Sequence, residues 1–475
     1  MDATTFSKPS SPAALACKAL HDHGLGIITT PQSLDYDPEQ HRPWSETCWL
    51  PAACYVRPQS TGDVAAILST LKKLEVKFAV RSTGHNPTIN SSSVDGSGIV
   101  INMRDIKSLS FNENDGTLSA GGGSTWGDVY AFLEECGRSV IGARNFGVGV
   151  GGFTLGGGMP AFPNIHGLAA DNVRNFEVVL GDSSVVNANA ETNPDLWRAL
   201  KGGGTNFGIV TRFDFETYPL IRTKYAVNLY DPADYVNILR ATVEVQESME
   251  LDPKIGLFVS FNPTFVAVGL LYADTPAETS KVFDPFLNLQ SLISAAVPWT
   301  DGTIRSLVAS IQYNAPSARR TQAVTATKVS FDLYVKVHEI WLETIKTATA
   351  EIFYTIQPLA SSAVTEGEHR GGNIMGIKKI AQSWYAFAGF WPDASLDEEG
   401  LRSVDDLRRT AEELAKWSGD HLEFHFMNDA SPSQTVLESY GLENLNMLRE
   451  VAAKYDPEKV FQVLQNGGNL LRRLD

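Results

Sequence analysis

Arg81-Ser82-Thr83-Gly84-His85-Asn86, followed about sixty residues later by Val148-Gly149-Val150-Gly151-Gly152-Phe153-Thr154-Leu155-Gly156-Gly157-Gly158, is the stretch on which the fold turns. Glycine permits positive φ and close backbone approach, so such loops can aim their N–H groups at a diphosphate. Val76-Lys77-Phe78-Ala79-Val80 alternates apolar residues as a strand does and delivers the first loop at a strand end. An ordinary turn needs one or two glycines, whereas residues 147–158 hold seven. Gly147-Val148-Gly149-Val150-Gly151-Gly152 can be laid on the dinucleotide fingerprint G-x-G-x-x-G, but that motif should open a helix. The glycines at 156–158, then Pro160 and Pro163, argue against one. The acidic residue expected about twenty positions on would be Asp171, which does not close a clear second strand.

At 475 residues the chain exceeds one ordinary core, so two domains, or one domain with a large insert, are expected. Its 43% hydrophobic and 20% charged residues are those of a folded globular protein. A net charge of −16 argues against nucleic acid or an anionic membrane as partner. No apolar run approaches the roughly 18 residues of a membrane span. The stretch Ala13–Leu20 is short, broken by Lys18 and without a basic lead-in. No secretory signal is read there, and an intracellular, cytoplasmic protein is expected. The four cysteines, Cys17, Cys48, Cys54 and Cys136, are sparse and match no zinc spacing. Reduced thiols are expected, a disulfide at Cys17 or Cys48 being the alternative. Asn90-Ser91-Ser92 is a lone glycosylation sequon, without meaning in a cytosolic protein.

Ser60-Thr61-Gly62-Asp63 reads as a capping box before a helix carrying Val64, Ile67, Leu68 and Leu71 on one face. Thr125-Trp126-Gly127-Asp128 does the same before Val129, Phe132, Leu133 and Cys136, which makes Cys136 a core residue. Strands are read at Ile99–Met103, Phe176–Leu180 and Gly208–Phe213, and a helix from Pro194 to Lys201. The middle of the chain is rich in large aromatics: Phe258, Phe261, Tyr272, Tyr313, Tyr334, Trp341, Trp384, Tyr385, Phe390 and Trp391. Most are expected in a core, with some walling a pocket.

The two glycine loops, in this order and near this spacing, resemble the PCMH-type FAD-binding domain of the berberine-bridge-enzyme-like flavin oxidases, within the vanillyl-alcohol-oxidase superfamily. Pro58-Gln59-Ser60 with Asp63-Val64, Gly167–Val173, Gly202–Val210 and Tyr455–Gln462 match further segments. The resemblance implies an α+β fold: a two-part FAD-binding domain with an inserted substrate domain built on an antiparallel sheet. The parts are residues 1–220 (PCMH-type core about 50–220), the insert 221–430, and a segment 431–475 returning to the first part. It implies FAD held by Arg81, Ser82, Thr83, Gly84, His85 and Asn86. A second set is Val148, Gly149, Gly151, Gly152, Leu155, Gly156 and Gly157, and a third is Asp171, Asn172 and Val173 with Gly208, Ile209 and Val210. His85 is implied to carry the flavin through its 8α-methyl carbon. Many relatives add a cysteinyl link just before the second glycine segment. Here Gly142-Ala143-Arg144-Asn145-Phe146-Gly147 has no cysteine, so a single tether is expected.

Relatives also carry an Asn-Tyr pair on a late strand, and the matching piece, Phe424-His425-Phe426-Met427-Asn428-Asp429, puts Asp429 at the tyrosine position. Alternation through His421–Met427 fits a strand. Asp429 is then either a desolvated general base or a turn residue ahead of Pro432. Tyr385, Glu423 and His425 are the other candidates for the base. His421 and His425 do not make a zinc motif, and no metal is expected. The resemblance implies an oxidase that moves two electrons from a small organic substrate, a specialised metabolite, to oxygen with release of hydrogen peroxide. A carbohydrate oxidase, a nicotinamide-dependent flavin reductase and a non-catalytic flavin-binding protein are the alternatives. The sequence sets neither substrate nor oligomeric state.

Overall fold

The computed structural model describes residues 11–278, 281–312 and 317–474; Tyr313 of the aromatic set lies outside them. Three sheets organise the chain. The first runs Ile27–Thr29, Cys54–Arg57, Gly98–Asn102, Lys77–Arg81, with the last three strands parallel. Its crossover helix Thr61–Lys73 is capped by Ser60 Oγ, which accepts from Asp63 N–H at 3.1 Å, and buries Val64, Ile67, Leu68 and Leu71 completely. The second sheet is antiparallel, in the order Leu109–Asn112, Thr117–Gly121, Ile209–Glu216, Val173–Val179, Val185–Asn189. The loop that follows Arg81 meets the end of the second sheet's strand Thr117–Gly121, where Ser82 Oγ donates to Gly122 O.

The third sheet is eight-stranded and antiparallel throughout, its strands lying between Arg222 and Leu422. One face is covered by the helices Tyr235–Met249, Phe331–Ile345 and Asp397–Ser418, which close a core around Tyr334, Trp341, Tyr354 and Tyr385. The chain end comes back to the first sheet. Phe78 N–H donates to Leu464 O at 2.9 Å, Asn466 N–H donates to Phe78 O at 2.7 Å, and Phe461 packs edge-on against Phe78.

Four expectations are corrected. Val150–Leu155 is a helix of six residues, so the second glycine segment does open one. It stops at Gly156 because Gly157 and Gly158 take φ of 107° and 76°, a left-handed conformation that a helix cannot continue through. Cys17 and Cys54 form a disulfide that staples the helix Pro12–Asp22 to the first sheet, so these two thiols are not reduced. Disulfides persist in oxidising compartments, which removes the cysteine argument for a cytosolic protein. Cys136 is exposed, because its helix ends at Glu135 and the apolar stripe outruns the helix by one position. Finally, only His421 and Leu422 of the segment 421–427 find a strand partner, at Thr327 and Ala326. The remaining alternation is an extended stretch burying Phe424 and Phe426 against Trp384, and it ends in a 3₁₀ turn at Met427–Asp429. No helix among the described residues is long and apolar enough to cross a membrane.

Candidate active site

A cavity of about 410 Å³ opens where the two glycine loops, the eight-stranded sheet and the returning chain end meet. Close backbone approach builds its wall. A Cβ on Gly149 would lie 2.5 Å from Ser82 Oγ, and one on Gly151 would lie 3.0 Å from Gly122 O. Ser82 Oγ donates to Gly122 O at 2.7 Å, and Val150 N–H to Ser124 O at 2.9 Å, so these loops are fastened as one unit. A side chain at Gly149 or Gly151 would force them apart.

The sequence-derived cofactor residues divide into two groups. Ser82, Thr83, Gly84, His85 and Asn86 line the cavity, as do Val148, Gly149, Gly151, Gly152, Leu155 and Gly156, and Gly208, Ile209 and Val210. Arg81, Gly157, Asp171, Asn172 and Val173 do not line it. Arg81 is fully buried and donates to Ser92 O and Glu39 O, fixing the loop beyond His85. Gly157 O accepts from Ala170 N–H at 3.0 Å, so the segment after Gly167 props up the glycine segment. Asp171 closes that segment on itself, accepting from Leu168 N–H and Asn373 Nδ2. Asn172 donates to His166 O and Leu168 O, and Val173 is buried in its strand.

His85 stacks on Trp44, ring centroids 4.6 Å apart, and Arg320 lies over the other ring system of that pair at 4.7 Å from Trp44. Burial, with Arg320 nearby, pulls the imidazole down to about 4, so it is neutral at neutral pH. A neutral ring nitrogen retains the lone pair that a bond to carbon requires. Cys48, on the far side of this loop, is buried with its thiol pushed up to about 11 by burial. It stays protonated. Cys136 does not line the cavity.

Of the candidates for a base, only Asp429 reaches the cavity. Burial raises its carboxyl above the ordinary carboxylate range, against the lowering effects of a hydrogen bond from Gln357 and the charge of Arg144. Gln357 Nε2 donates to Asp429 Oδ2 at 2.8 Å, and Arg144 donates to Gln357 Oε1. Tyr385 points the other way. It pairs with Ile356 across the sheet, one residue out of phase with Gln357, and so lies in the helix-side core with no partner for its hydroxyl among the described residues. Glu423 is exposed, and His425 turns with His421 toward Glu412 of the long helix, each at 3.8 Å. None of the middle aromatics that are described lines the cavity. Besides the His85 imidazole, the rings among its described residues are Trp44, Phe153 and Phe426.

Sequence reading missed Trp44, Arg144, Gln322 and Gln357, and it left Asn428 without a role. Asn428 Oδ1 accepts from Gly158 N–H at 3.0 Å and its Nδ2 donates to Gly152 O at 3.2 Å, clamping the short helix to the turn that bears Asp429. An asparagine next to the candidate base was the one available signal. No grouping of His, Cys, Asp and Glu able to hold a metal occurs among the described residues.

Residues 52–189 match the model of a family described as FAD binding domain. A FAD-dependent monooxygenase of Arthrobotrys oligospora is 35% identical over 90% of this chain and 84% of its own length. A bifunctional solanapyrone synthase of Alternaria solani is 33% identical over 88% of this chain and 81% of its own. Among solved structures, glucooligosaccharide oxidase of Acremonium strictum superposes with a TM-score of 0.81 at 18% identity, covering 94% of this chain and 97% of that one. The work on that enzyme concerned its 6-S-cysteinyl, 8α-N1-histidyl FAD. The class is therefore that of FAD-dependent oxidoreductases with the berberine-bridge-like fold. The chain belongs to the family of FAD-dependent oxidoreductases that holds the Arthrobotrys and Alternaria relatives.

The cavity fits FAD on its own chemistry. Its wall is bare backbone at Gly149, Gly151, Gly152, Gly204 and Gly208, the kind of surface that takes a diphosphate. Ser92 Oγ and Gln465 Oε1 line it, buried and without a partner among the described residues. Buried polar atoms of this kind call for a ligand or water.

Proposed function

We propose that the protein is an oxidase that takes two electrons from a small organic molecule and delivers them to oxygen, giving hydrogen peroxide. The observation that carries this reading is that His85 and Asp429 border one cavity from opposite parts of the chain, the first neutral and the second desolvated. FAD, when bound, supplies the two-electron acceptor that oxygen can reoxidise. His85 is its covalent anchor, and no cysteine stands by to make a second link. The loops Ser82–Asn86, Val148–Gly156 and Gly208–Val210 hold it, while Trp44 keeps the His85 ring in place. Asp429 accepts a proton from the substrate, and the Gln357 amide keeps its carboxylate aimed into the cavity. The kinship with a solanapyrone synthase favours a specialised metabolite over a sugar as substrate.

The relatives named monooxygenases favour a second reading, in which one oxygen atom stays in the product. Turnover in labelled oxygen separates the two. The oxidase reading expects peroxide equal to substrate consumed, no label in product and no need for NADH or NADPH. Label in the product, or a requirement for reduced nicotinamide, would overturn it.

A further inference from the structure

Arg144 lines the cavity from the loop before the second glycine segment and Asp429 from the 3₁₀ turn Met427–Asp429, while Gln357, on the strand Glu351–Leu359, stands behind the wall and lines a small void there. Distant in sequence, they form one line of contacts in which the amide donates to Asp429 and accepts from Arg144. A cation placed only to neutralise Asp429 would gain most from a direct two-pronged pair with the carboxylate. Here an amide stands between them. A guanidinium has five N–H donors, and among the described residues Arg144 uses one. It borders the main cavity and also a small void of about 10 Å³ behind it, so its other donors have space in front of them and no protein acceptor.

The rest of the lining sharpens the point. Asp429 is the one acidic residue among the described residues of the wall, and burial disfavours its charge. The other cation of the wall, Arg473, is tied to Pro432 O and Gly468 O. Enclosing a charge with donors unsatisfied is costly unless a ligand completes it. The chemistry that completes a guanidinium is an oxygen acid, which accepts two parallel N–H bonds.

We propose that Arg144 docks an acidic oxygen of the substrate, a carboxylate, enolate or phenolate, with Gln357 as the spacer that keeps the guanidinium off Asp429. The inference rests on the oxidase reading, in which Asp429 faces the substrate, and it narrows that reading to anionic organic substrates. Gln357 is then a positioning residue serving two groups at once. It presents oxygen to the cation and N–H to the base, an orientation that an ionised carboxylate and a guanidinium together dictate.

The test is binding to the flavin-loaded enzyme, followed by the shift in its visible spectrum and by calorimetry. The probes are benzoate against benzamide and salicylate against salicylamide, pairs alike in shape and different in charge. Wild type is expected to bind each acid at least about tenfold more tightly than its amide, a difference of about 1.4 kcal/mol. Arg144→Met should erase the difference, and Arg144→Lys, which keeps the charge but loses the planar fork, should keep part of it. Acid and amide binding alike to wild type, or no acid binding in the millimolar range, overturns the proposal. So does undiminished benzoate affinity in Arg144→Met. If that variant no longer retains flavin, the wild-type pairs and Arg144→Lys decide. Because these measurements need no turnover, they stand apart from the oxidase reading. Acid selectivity without peroxide formation would break only the latter.

Discussion

The two faces of the eight-stranded sheet are made from the same strands and have opposite characters. On the helix side, Ile356, Tyr354, Tyr385 and Phe387 pack with Tyr334 and Trp341 into a core that excludes water. On the other side, Gln357 and Trp384, one step along their strands from Ile356 and Tyr385, meet the segment that bears Asp429, and Gln322, one step from the helix-side Ala323, reaches the cavity. A strand's period of two makes a single step the difference between packing and chemistry. Tyr385 and Gln357 show this best. The tyrosine has the more reactive side chain and faces nothing it can react with, while the amide holds the candidate base.

The largest expected effect lies on the cavity side. Asp429→Asn should slow anaerobic flavin reduction by roughly 10²–10⁴-fold, the usual cost of a lost general base, with flavin spectrum and covalent attachment intact. Near-normal reduction would return Asp429 to a turn role. On the helix side, Ile356→Ala should cost about 2–5 kcal/mol of stability, read from denaturant unfolding, and leave the chemistry of the folded fraction unchanged. A comparable loss in the rate constant for reduction would show that the two faces are not independent.

Gln357→Leu gives a subtler readout in pH. The base must be ionised to work, so reduction should fall as pH drops through the raised value of Asp429, above the ordinary carboxylate range. Gln357 lowers that value by donating to the carboxylate. Its loss should move the acidic limb to higher pH, and a limb that stays in place would remove Gln357 from the site. Tyr385→Phe should do least. Its hydroxyl has no partner among the described residues, so stability should change by about 1 kcal/mol or less, with no change in the pH profile of reduction.

The glycine loops were legible because close approach leaves a compositional trace. Seven glycines within residues 147–158 have few explanations, and Gly149 and Gly151 bear the contacts that explain them. The capping box at Thr125 and the buried face of the helix Thr61–Lys73 were legible for similar reasons, since both are local patterns. The site's cross-chain contacts were not. Nothing near Arg144 in sequence announces Gln357, which lies 213 residues away, and nothing near Trp44 announces His85. The Cys17–Cys54 bond was missed because a spacing of 37 residues carries no register. The late strand was over-read for the opposite reason. Its alternation is real, but it comes from Phe424 and Phe426 burying against Trp384, and alternation alone does not supply a hydrogen-bonded neighbour.

Peptide mapping of the purified, acid-precipitated protein is the most direct test of the claim that this cavity holds a flavin tied to the chain at one point. Flavin mass is expected on the peptide containing His85 and on no other, and His85→Ala should release the flavin on denaturation. Flavin released quantitatively from the wild-type chain, or a second adduct on the Cys136 peptide, would contradict it.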